Sequence, residues 1–96
     1  MAISKPIRVV VFKGEEHWVA QCLEHDICTQ ASDLDTLRDR IEQTIAAEHE
    51  LCSSKGRDLS SIPAAPDHFF RMWDKRSEFD KSGSSDGVTY EMALCA

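Results

Sequence analysis

The stretch HWVAQCLEHDICTQASDLDTLRDRIEQTIAAE, residues 17–48, changes its hydrophobic period partway through. In HWVAQCL the side chains alternate, with Trp18, Ala20 and Cys22 on one face of an extended chain and Val19, Gln21 and Leu23 on the other. After the polar break Glu24-His25-Asp26, the short run ICTQA reads as another strand. From Ser32 onward the period lengthens. Leu34, Leu37, Ile41, Ile45 and Glu48/Cys52 recur in steps of three and four, tracing one stripe of a helix. Ser32 is the expected N-cap, with Asp33 and Asp35 in the first turn, where negative charge suits the dipole. The helix is expected to run to about Cys52 and stop within Ser53-Ser54-Lys55-Gly56.

Working outward, IRVVVF at residues 7–12 is rich in β-branched side chains and reads as a first strand, with Ile7, Val9 and Val11 opposite Arg8, Val10 and Phe12. KGEE, residues 13–16, is the hairpin turn between the first two strands. Residues 53–66 form a connector with little periodicity, and Pro66 starts a short helix, DHFFRMWDKRSEF. KSGSSDG, residues 81–87, is a flexible loop by composition, and VTYEMAL at 88–94 alternates as a last strand with one buried face. The expected architecture is a single α+β domain: an antiparallel β-β-β-α-(short α)-β sheet with the main helix packed on one face.

The chain has 96 residues, 42% hydrophobic and 29% charged, which fits one domain with a thin core that a partner subunit would reinforce. Its formal charge is −6. That excess argues against a general phosphate-binding surface and is compatible with a basic protein partner. MAISKPIRVVVF lacks the apolar core and cleavage site of a signal peptide, and no segment approaches the roughly 18 apolar residues of a membrane span. A cytoplasmic protein with free thiols is the expectation.

Cys22, His25 and Cys28 stand at three-residue intervals, and His49 and Cys52 repeat the spacing. Thiolate and imidazole are zinc ligand types. Against that, Cys22 shares its face with Trp18 and Ala20, and Cys52 lies on the stripe of Leu37, Ile41 and Ile45. Cysteine is readily buried in such positions, so core packing is the expectation and neither metal nor cofactor is assigned. A Cys22–His25 nucleophile lacks an orienting carboxylate and an oxyanion hole, and Asp33, Asp35, Asp39 and Glu42 suit a helix start and a solvated face.

The first half resembles the N-terminal domain of the HicB-like antitoxins. The matching positions are the aromatic-Val-Ala strand Trp18-Val19-Ala20, the acidic loop Leu23-Glu24-His25-Asp26, the Cys28-Thr29-Gln30 run, and the acidic-capped helix start from Ser32 to Leu37. The resemblance covers roughly residues 7 to 50, with residues 88–94 a looser match. It implies a β-β-β-α-β sheet with a helix on one face, a truncated relative of the RNase H sheet, that binds and neutralises a small basic RNA-cleaving toxin, HicA. Ala31-Ser32-Asp33 stands where the family usually has Gly-x-Thr, and Leu23-Glu24 where a proline is common. Residues 53–96 show no helix pair or basic arm, so direct DNA binding is not expected.

The functional expectation is therefore binding by occlusion, without catalysis. Glu24, His25 and Asp26 in the strand loop, with Phe70 and Trp73 from the short helix, are the candidate partner-binding residues. For the aromatics the competing expectation is that Phe69 and Trp73 close the open side of the sheet while Phe70 faces outward. A last strand at the sheet edge would invite dimerisation. The alternative function is an orphan scaffold of the same fold, homo-oligomeric or binding a small ligand.

Overall fold

The structure, a computed structural model, describes residues 7–76, 80–85 and 88–95. Three strands lead the chain: β1 (Ile7–Lys13), β2 (Trp18–Cys22) and β3 (Cys28–Ala31). The helix α1 (Leu34–Ser54) follows, then a 3₁₀ turn at Leu59–Ser61, the short helix α2 (Asp67–Asp74), and strands β4 (Asp80–Ser85) and β5 (Val88–Leu94). All five strands form one sheet in the order β3-β2-β1-β5-β4. The α+β class expected from the sequence is what the chain adopts, with α1 on one face of the sheet.

Several details differ from expectation. The sheet is mixed rather than antiparallel, because β5 runs parallel to β1, with Ile7 opposite Tyr90 and Val11 opposite Leu94. β5 is therefore internal, and the edges are β3 and β4. Most of the expected flexible loop at 81–87 lies in β4, which pairs antiparallel with β5 from Asp80↔Ala93 to Ser85↔Val88. Glycine and serine favour neither strand nor helix there, and the backbone bonds offered by β5 override weak local preference. Residues 86 and 87 of that loop lie outside the described residues, as do residues 77–79 of the expected short helix and the first six of the N-terminal stretch read for a signal peptide.

Helix boundaries follow from capping chemistry. Asp33, not Ser32, is the N-cap of α1: its carboxylate accepts from the Thr36 backbone N–H at 2.7 Å and from the Thr36 hydroxyl at 3.0 Å. These bonds hold the Asp33 carboxyl below the usual aspartate range. At the far end Gly56 takes φ +69°, its N–H donates to Ser53 O, and the Arg57 N–H donates to Cys52 O. That is a Schellman closure, in which glycine supplies the left-handed residue without a Cβ penalty. In α2, Pro66 is the N-cap and not the first helical residue, since its ψ of 153° is extended.

Both faces of the sheet are covered. On one, Val9, Val11, Ala20 and Cys22 pack under Leu37, Ile41 and Ile45 of α1, the stripe expected from the sequence. Tyr90 joins this layer from β5, and its hydroxyl donates to the Glu42 carboxylate. On the other, Val10, Leu23, Ala93 and Cys95 pack with Trp73, flanked by Phe12, Phe69, Phe70 and Met72. The chain changes sides through the connector. The Asp26 N–H donates to Pro63 O at 2.7 Å and the Ala65 N–H to Leu23 O at 2.9 Å, stitching residues 63–65 to the loop after β2. The connector is thus ordered against the sheet end despite its lack of periodicity.

Candidate interaction site

Arg8 organises the cluster that contains three of the five candidate residues. Its Nε donates to the Glu24 carboxylate at 2.6 Å, and its backbone N–H donates to the other oxygen at 2.8 Å. The same guanidinium carbon lies 5.2 Å from the Phe70 ring centre and 6.0 Å from that of Trp73, while Arg76 stacks on Trp73 at 4.6 Å. Glu24, Phe70 and Trp73 are therefore brought together by a residue that sequence reasoning did not single out. The available signal was a lone arginine among the apolar residues of the first strand.

This geometry gives those residues structural work. Trp73 is buried, at 8% exposure, and packs on the second face of the sheet. Its spacing from Phe69 explains why: residues four apart stack on the same side of a helix, and that side meets β1. Phe70 is half-buried beside Arg8. Glu24 fixes α2 to β1 through Arg8. Glu24→Ala is expected to cost about 1 kcal/mol, discounted because the two side chains are 38% and 32% exposed. The check is hydrogen exchange, which should accelerate in α2 while α1 stays protected.

His25 and Asp26 are likewise engaged within the loop. The His25 ring Nδ1 lies 3.4 Å from Ile62 O. Asp26 accepts from the Gln21 amide at 2.9 Å, and the same amide nitrogen donates to Cys22 O at 2.9 Å, satisfying a side chain that is only 3% exposed. The loop 24–26 thus anchors the connector on one side and Arg8 on the other, although Asp26 remains exposed at its tip.

The cysteine–histidine run is divided by strand alternation. Cys22 is fully buried under α1, where burial, then the charge of Glu24, push its thiol up to about 12. Cys28 pairs with Gln21 in the sheet, on the opposite face, and is exposed. Its thiol is also raised, by partial burial and by the negative charge of Asp26. Raised thiols are poor nucleophiles at neutral pH. Cys52 is buried with its sulfur 3.7 Å from the Ser61 hydroxyl. Among the described residues no three His, Cys, Asp or Glu side chains gather as a metal-holding group.

An open feature among the described residues lies at the other end of β1 and β2. Gly14, Glu15, Glu16 and His17 of the hairpin, with Val19 and Gln30, line a shallow groove of about 250 Å³. The turn is tight: the Gly14 N–H donates to His17 O at 2.8 Å, and a Cβ on Gly14 would meet that oxygen at 3.1 Å. Glu15, Glu16 and His17 are all exposed. KGEE was legible as a turn, but its adjacency to Gln30 depends on β2–β3 pairing that no local pattern encodes.

Comparison with known proteins found no matching family model, no matching curated protein and no matching solved structure.

Proposed function

We propose that this chain is a non-catalytic, HicB-like antitoxin-type protein that binds a small basic RNA-cleaving toxin of the HicA type and neutralises it by occlusion. The observation that carries the reading is how the polar groups are disposed. The residues suggestive of chemistry, Cys22, His25 and Glu24, are buried or engaged in holding the fold, while Glu15 and Glu16 stand open beside a groove. A molecule with a formal charge of −6 and such a surface is suited to recognising cations. The β-β-β-α opening of the chain, with α1 on one face of the sheet, supports the resemblance that suggested the partner. Among the described residues no helix is long and apolar enough to cross a membrane. The proposed setting is the cytoplasm, and self-association into a dimer or higher oligomer is part of the proposal.

The test is binding of the purified chain to a small basic HicA-like protein from its own source. The expected result is a stable complex on gel filtration whose affinity falls about tenfold or more between low and high salt, as screening of complementary charge requires. Separate elution of the two proteins at low salt would overturn the reading.

A further inference from the structure

On the second face of the sheet the packing of α2 is centred on β1. α2 lies over β1, where the Phe12 and Phe69 rings stack with centres 6.2 Å apart. On the same side, strand register places Val19 beside Phe12, and Gln30 beside Val19. Val19 is half-buried and Gln30 exposed, so this row of side chains continues to the edge strand β3. Val19 and Gln30 also line the groove at the β1–β2 hairpin. The result is a shallow trough with Glu15 and Glu16 on its rim, continued through Val19 by the apolar row Phe12 and Phe69.

Charge decides what the trough fits. Neither Glu15 nor Glu16 has an ion-pair partner among the described residues. Lys13 is turned toward Trp18 on the α1 side, its ammonium 4.8 Å from the indole centre. Arg40 of α1 reaches the far edge, where its Nη1 donates to Gln30 O at 2.8 Å. A ligand in the trough therefore meets apolar Val19 together with two carboxylates that have no ion-pair partner among the described residues.

We propose that this trough is the docking surface for a basic protein partner, seating an apolar side chain against Phe12, Val19 and Phe69 while flanking lysine or arginine side chains meet Glu15 and Glu16. The proposal rests on the antitoxin-type reading only for the partner's basic character. It moves the contact surface from the 24–26 loop to the opposite end of the same strands.

The experiment titrates the full isotope-labelled chain with a short leucine–lysine peptide and with its leucine–glutamine counterpart, following backbone amide shifts. The expected result is shifts confined to Phe12, the 14–19 hairpin, Gln30 and Phe69 with the lysine peptide, and none with the glutamine peptide. Glu15→Lys with Glu16→Lys should weaken binding at least about tenfold, since each apposed like charge is repulsive. Both positions are exposed, so the variant's unperturbed amide spectrum elsewhere establishes that it is folded. Shifts centred on the exposed acids of α1, such as Asp35 and Asp39, would overturn the proposal, as would unchanged affinity in the double variant. If a HicA-like toxin is neutralised equally by the double variant, the antitoxin-type reading stands and this surface falls. If the peptide maps to the trough but no such toxin is bound, the surface stands and that reading falls.

Discussion

Ile41→Ala lowers the unfolding free energy by about 3 kcal/mol, within the usual cost of emptying a buried isoleucine site. Ile41 is fully buried on the stripe of α1 that faces the sheet, with Leu37 and Ile45 one turn away on either side. Its removal forfeits both the transfer free energy of the lost methylenes and the contacts around the void. A domain of this length holds only about 5–14 kcal/mol in total, so the loss is a large fraction of its stability. Urea denaturation should show the midpoint falling by about 2 M with the slope unchanged. Leu51→Ala is the control: at 50% exposure it sits off that stripe, and a change within about 0.5 kcal/mol is expected. Equal effects at the two positions would mean that α1 is not seated as described.

Stability should fall steeply in alkali, with Cys22 as the principal cause. Its thiol is held up to about 12 in the folded state against 9.0 for an ordinary cysteine. Between those values the folded chain keeps the proton that the unfolded chain has lost, so the unfolded state binds fewer protons and rising pH favours it. The contribution is fully present below pH 9 and is lost progressively toward pH 12. From pH 9 to 11 the loss is about 2 kcal/mol from this one group, at about 1.4 kcal/mol per proton per pH unit. Burial raises Cys28, Cys95 and Tyr90 in the same direction, steepening the slope. Cys22→Ala should flatten the dependence above pH 9 even though it lowers stability at neutral pH. An unchanged alkaline slope in that variant would assign the effect to other groups. Thiol labelling of the native protein offers a second check: the exposed Cys28 should be modified in the folded chain, while buried Cys22 stays protected until unfolding.

What could be read from the chain was local and periodic. The α1 stripe from Leu37 to Cys52 was legible because a period of 3.6 survives in any environment that offers one apolar face. The β1 and β2 alternations were legible for the same reason, though the sequence did not indicate which face would meet α1. β4 was not legible, because its residues have weak strand preference and become a strand only through β5. The parallel β1–β5 pairing lies between the two ends of the chain, and nothing in either strand names the other. The candidate site divides along the same line. Phe69 and Trp73 advertised a helix face, but Arg8 acquires its meaning from Glu24, 16 residues away. Cys22, His25 and Cys28 looked convergent in one dimension and are dispersed by the pleat. The acidic groove was hidden because its floor residue Gln30 and its rim Glu15–His17 are joined by the sheet alone.

Residues that hold the fold lie apart from the exposed carboxylates of the hairpin. Arg8, Glu24, Gln21 and Asp26 satisfy one another, and the connector uses the 24–26 loop as its anchor. Conserving that loop while varying the hairpin should therefore change partner choice more than stability.

The most direct measurement is RNA cleavage by a small basic HicA-like toxin titrated with this chain. Cleavage is expected to stop near stoichiometric addition and to return when salt dissociates the complex. Cleavage that continues undiminished in excess of the chain, at low salt and with the chain shown to be folded, would contradict the central claim.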